Sequence, residues 1–159
     1  MTVALPNNKM NKRLLFALVV MTGGIHYAAQ GLLWVITPSV EPTLLYKKDG
    51  HATRGEYVHF RFKHDLISDD EVSLTKRIAC VEGDILARTG TGHFYCNGEH
   101  LGHARQYATN GTELPVFEWD SAAVPTGKAF VIGDHLESFD SRYWGFIEIS
   151  DAQRLAVIF

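Results

Sequence analysis

The stretch EYVHFRF, residues 56–62, places Val58, Phe60 and Phe62 on one side of an extended chain, with Tyr57, His59 and Arg61 on the other. This period of two is that of a half-buried β-strand, and no helix face would collect those three apolar positions. Similar short runs recur at 78–81, 85–87, 93–96, 129–132 and 146–149. Turn-forming residues separate them: Glu82-Gly83-Asp84, Thr89-Gly90-Thr91-Gly92, Asn97-Gly98, Pro125-Thr126-Gly127 and Gly133-Asp134. Asn97-Gly98 between two apolar segments is the strongest hairpin signal. The pattern predicts a mainly β, antiparallel body over residues 32–159, with the polar, weakly periodic segment 104–124 as an excursion or flap.

The 159 residues suit a single core. Lys9, Lys12 and Arg13 are the only charged side chains before Glu41, whereas residues 32–159 carry 12 Lys and Arg against 18 Asp and Glu. A body of that sign offers no clustered cations for phosphates, which argues against nucleic-acid binding. Residues 14–40 hold no Asp, Glu, Lys or Arg. A helix over residues 14–31 would reach about 27 Å, just enough for a bilayer core. The basic residues before it predict a single-pass anchor with residues 1–13 cytoplasmic and the body periplasmic. A cleavable leader ending near Ala29-Gln30-Gly31 and a buried core helix are the competing readings of the same run. Leu32-Leu33-Trp34-Val35-Ile36 reads as a helix end or a strand, and Pro38 favours an extended Thr37.

Cys80 and Cys96 enclose 15 residues. Two cysteines cannot supply a four-ligand zinc site, so they are either a disulfide in an oxidising compartment or two buried thiols. Among the eight histidines, His100-x-x-His103 and His59-x(4)-His64 each offer two nitrogens without a convincing third ligand. Asp69-Asp70-Glu71 reads as a solvated turn rather than a calcium site. Neither a metal nor a cofactor is expected.

Three places are chemically unusual. Ser39 lies between Pro38 and Pro42, which restrict the backbone that presents its hydroxyl. Lys76 leads into the apolar strand Ile78–Val81, where its stem can be drawn inward. Residues 133–145 are dense in hydrogen-bonding side chains. A serine hydroxyl needs a base to become a nucleophile, and a lysine made neutral by burial is an accepted one. On local sequence alone, a turn serine and a solvated strand-edge Lys76-Arg77 pair are the readings that the residues favour.

Resemblance sharpens these readings. Ser39-Val40-Glu41-Pro42-Thr43 resembles the Ser-Met-x-Pro-Thr box of type I signal peptidases, and Arg54-Gly55-Glu56-Tyr57-Val58 their Arg-Gly-Asp strand. Lys76-Arg77-Ile78-Ala79-Cys80-Val81-Glu82-Gly83-Asp84 is similar to their lysine box. Residues 124–134, followed by Ser138-x-Asp140-Ser141-Arg142-Tyr143-Trp144-Gly145, are similar to the last box. Small size and a single anchor look most like the conjugative-transfer, TraF-type pilin-processing peptidases. The resemblance implies the signal-peptidase/LexA-like β fold and a membrane-anchored serine endopeptidase acting on a secreted precursor, with a pilin as the expected one, beside the lipid bilayer of a bacterial inner membrane. It implies Ser39 as nucleophile, Lys76 as general base, and Thr37 with the Ser39 N–H as oxyanion hole. Ser138 would orient the lysine, Asp140 and Arg142 would form an ion pair behind it, and Arg77 would support the site. Val40 departs from the usual Met, Pro38 from a frequent Gly and His135 from a frequent Asn. A LexA-like self-cleaving protein would need a DNA-binding helix pair, for which the apolar segment 14–36 leaves no room. A non-catalytic assembly factor of a secretion channel is the reading from another class.

Overall fold

A computed structural model describes residues 12–35 and 39–159. The chain divides after Leu32 into two units. In the first, α1 (Lys12–Ala29) leaves Leu14, Phe16, Val19, Val20, Ile25 and Tyr27 exposed. The anchor expected over residues 14–31 is not borne out: no helix among the described residues is long and apolar enough to cross a membrane. The physical reason lies in the helix's own composition. It takes in Lys12 and Arg13 at one end and Gly23, Gly24 and His26 toward the other, so the uninterrupted apolar run Leu14–Met21 would span only about 12 Å.

The second unit is antiparallel β, as the alternation predicts. Its strands are β1 (Leu32–Trp34), β2 (Leu44–Lys47), β3 (Tyr57–His64), β4 (Ser68–Val81), β5 (Ile85–Arg88), β6 (His93–Cys96), β7 (Glu99–His103), β8 (Ala122–Ala123), β9 (Lys128–Ile132), β10 (Ile147–Glu148) and β11 (Gln153–Val157). A short helix, α2 (Ser141–Trp144), follows β9. One sheet runs β1-β2-β11-β3-β4-β9-β10 and the other β7-β6-β5-β8. Leu32–Trp34 is therefore a strand and not a helix end. Asp69-Asp70-Glu71 is not a turn but part of β4, where Arg61 of β3 pairs with Glu71 at 3.1 Å. That end of the hairpin is largely exposed, so charges there meet water without leaving the ladder.

β4 links the two halves of the core. Ile78 joins Val58, Phe60, Ala129, Val131 and Ile147 on one side, while Ala79 and Cys80 join Leu86, Phe94, Phe130 and Ile132 on the other. An irregularity between Ile78 and Cys80 in the pairing with β9 allows three successive residues to be buried. Cys80 and Cys96 form a disulfide, with Cα atoms 5.8 Å apart, that ties β4 to β6 and so one sheet to the other. The excursion 104–124 does not hang free: Leu114, Val116, Phe117 and Trp119 pack on the core, and Phe117 N–H donates to Arg142 C=O at 2.9 Å.

Candidate active site

The site is assembled where β9 ends. Tyr57 of β3 and Arg77 of β4 are directly opposed across the ladder, so their side chains stand on one face. Both reach Asp134, two residues beyond β9: Tyr57 Oη donates to its Oδ2 at 2.7 Å and Arg77 Nε to its Oδ1 at 2.8 Å. Asp134 also grips the segment that carries Ser39. Its N–H donates to Ser39 C=O at 2.8 Å, and its Oδ2 accepts from Glu41 N–H at 3.1 Å. Burial works against the charge of Asp134, but the bonds from Arg77, Tyr57 and Glu41 outweigh it and hold the carboxyl below its usual range. Burial, with the hydrogen bond to Asp134 next, pushes the Tyr57 hydroxyl well above the ordinary phenol range.

Gly133 is the point of closest approach. A Cβ placed there would lie 2.1 Å from Ser138 Oγ and 2.6 Å from Ser39 C=O. Only a residue without a side chain lets the Ser39 backbone and the Ser138 side chain converge on one spot.

Lys76 comes to the same place from β4. It shares a strand face with Ile78, by the two-residue period, and is only 2% exposed. Its Nζ donates to Ser138 Oγ at 2.6 Å. Burial lowers its pKa below the ordinary lysine value; the Asp140 charge opposes that shift, Arg142 reinforces it and Asp134 opposes it. Among the described residues no hydrogen bond links Lys76 to Ser39. Ser39 is half-buried beside a cavity of about 200 Å³ lined by Leu33, Trp34, Val35, His59, Leu74 and Thr75. Thr37 lies outside the described residues.

Asp140 and Arg142 do pair, at 2.8 Å through Nε and 2.7 Å through Nη2, with almost no exposure on either side. Burial opposes the Arg142 charge, yet the Asp140 bonds more than offset it and keep the guanidinium strongly basic. The pair works as a bracket: Asp140 Oδ2 accepts from Gly133 N–H at 2.9 Å, and Arg142 Nη2 donates to Ser138 C=O at 3.3 Å. It fixes the segment that holds Ser138 against Lys76.

The structure thus gathers Lys76, Ser138, Asp140, Arg142 and the backbone of Ser39 about Gly133, with Arg77 one contact away on Asp134. Sequence reading missed the role of Asp134 and Tyr57. Both lie in boxes that carry the resemblance, Tyr57 in residues 54–58 and Asp134 at the close of the turn Gly133-Asp134; their pairing could not be read there, because it is set by strand register. Cys80, Asp84 and Cys96 bring three potential metal-ligand atoms within 4.8 Å, but the disulfide occupies both sulfurs.

The family model described as signal peptidase, peptidase S26, matches residues 7–158. No curated protein matches the chain. A crystal structure of signal peptidase I from Enterococcus faecalis V583 is similar to it, at 22% identity and a TM-score of 0.44, over 69% of this chain and 100% of that one. With all but a few terminal residues covered by that model, this chain belongs to the peptidase S26 signal peptidase family, a family of serine peptidases that act on secreted precursors.

Proposed function

We propose that the protein is an endopeptidase that removes leader peptides with a Ser39 nucleophile and a Lys76 general base. The observation that carries this reading is a lysine 2% exposed, its amine held by Ser138 and its charge disfavoured by burial, in a chain of this family. Neutral Lys76 takes the Ser39 hydroxyl proton as Oγ attacks the scissile carbonyl carbon. The oxyanion that forms is stabilised by the Ser39 N–H and the Thr37 hydroxyl. When the C–N bond breaks, Lys76 returns the proton to the leaving amine. A water, deprotonated by Lys76, then attacks the acyl carbon, the C–O bond to Ser39 breaks, and Lys76 returns the proton to Ser39 Oγ. The cavity beside Ser39 suits a small or medium side chain of the substrate.

The expected substrate is a secreted precursor of the pilin type, processed for conjugative transfer, as the resemblance to the TraF-type peptidases suggests. The Cys80–Cys96 disulfide favours an oxidising compartment, so the body works in the periplasm. The exposed apolar side chains of α1, with Lys12 and Arg13 at its start, favour attachment to the inner membrane. Processing of a co-expressed pilin precursor tests the proposal. Ser39→Ala and Lys76→Ala abolish cleavage while the protein stays folded; undiminished processing or pilus assembly in both variants assigns the chain to a scaffold instead.

A further inference from the structure

Sequence spacing offered His100 and His103 as a pair without a third ligand. The four-stranded sheet supplies one from β6. His93 is opposed to His103 across the ladder, and Tyr95 to His100. In a regular strand, residues three apart point to opposite faces. Here the pairing shifts between Phe94 and Tyr95, leaving Leu101 as the extra residue of β7, and Gly102 next to it adopts a φ of +126°. This bulge turns the strand by one residue and returns His100 and His103 to the same face as His93.

The rings meet there. His93 Nδ1 lies 3.0 Å from His100 Nε2. Two imidazole nitrogens on one tetrahedral zinc, each at about 2.05 Å, stand roughly 3.3 Å apart, so this pair is already close to the spacing a shared ion requires. The His103 ring centroid is 4.7 Å from that of His93. His103 Nε2 is 3.0 Å from Thr91 C=O and donates to it, which leaves Nδ1 as the acceptor nitrogen. The support is fixed by backbone bonds, with Ala104 N–H donating to Gly92 C=O at 2.9 Å and Thr89 N–H to His93 C=O at 2.9 Å.

We propose that His93, His100 and His103 form a binding site for a divalent late transition metal, zinc in the first place, on the outer face of the β5–β8 sheet. His93 Nδ1 and His100 Nε2, hydrogen-bonded to each other at 3.0 Å, bind with little movement once the proton between them is displaced, His103 Nδ1 completes the set by turning its ring away from Thr91, and water fills the fourth position. Imidazole donors select this class of metal over calcium or magnesium. The inference does not depend on the peptidase assignment.

The test is titration calorimetry of zinc chloride into the untagged chain in detergent. One site with a dissociation constant in the micromolar range or below is expected. His93→Gln, His100→Gln and His103→Gln each weaken it by at least about tenfold, and His59→Gln and His64→Gln leave it unchanged. Circular dichroism of each variant confirms the fold; His100 is exposed, so its replacement leaves the fold intact. Binding absent up to about 1 mM zinc, an affinity of only about 4 kcal/mol, overturns the site. So does binding that survives any one of the three substitutions unchanged.

Discussion

Lys76 Nζ donates to Ser138 Oγ across 2.6 Å in a position with almost no access to water. The amine is thereby aimed by a side chain that enters from the far end of the chain, and its protonation is governed by its surroundings. Burial disfavours the ammonium, with Asp140 and Asp134 partly restoring it. In the proposed mechanism only the neutral amine is useful, so cleavage rises as pH passes the Lys76 pKa. That acidic limb lies below the ordinary lysine range. Measuring kcat/KM against pH tests this: a limb at about 10.4, the unperturbed lysine value, removes the case for Lys76 as a buried base.

The same shift has a consequence for stability. A lysine with a lowered folded-state pKa binds fewer protons folded than unfolded at pH values between the two pKa values, so it destabilises the fold there and stability rises with pH. Each unit of lowering corresponds to about 1.4 kcal/mol. Lys76→Met is expected to abolish cleavage yet gain stability relative to the wild type at about pH 6, an advantage that shrinks by about pH 9. Urea unfolding at the two pH values reads it; a difference independent of pH contradicts a buried, neutral Lys76.

Ser138→Ala removes the partner of the amine without touching Ser39. Loss of one positioned hydrogen bond is expected to lower kcat by about 10- to 100-fold, with KM little changed. Wild-type kcat in this variant shows that Ser138 is not needed to orient Lys76.

Gly133→Ala places a methyl where Ser138 Oγ and Ser39 C=O converge. Overpacking of this kind costs about 1–3 kcal/mol. Because the displaced groups are the Lys76 partner and the backbone of Ser39, activity should fall further than stability. A crystal structure with both groups unmoved and full activity would show that the close approach is unimportant.

Arg142→Met leaves Asp140 buried and unpaired. Breaking such a pair from one side typically costs about 3–5 kcal/mol. Thermal unfolding should show this loss, partly recovered in the double variant with Asp140→Asn, because the second change removes the stranded charge. A double variant no better than the single one rules out that explanation.

The sequence by itself determined the strand pattern, because alternation of Val58, Phe60 and Phe62 against Tyr57, His59 and Arg61 is a local property that any extended chain would express. It also determined the family, through boxes whose residue types and order survive without coordinates, and it marked Lys76, Ser138, Asp140 and Arg142 as a set. It misjudged residues 69–71, whose acidic side chains suit the exposed end of a long hairpin, and the anchor it expected over residues 14–31 is not borne out by α1, which contains few consecutive apolar residues. Only the tertiary structure decided which groups meet. Asp134 joins Tyr57, Arg77 and the Ser39 segment because strand register brings positions 57, 77 and 134 together. His93 comes to His100 and His103 because one bulge changes the face of β7. Register and bulges arise from pairing between distant segments, and no local pattern of residue types encodes them.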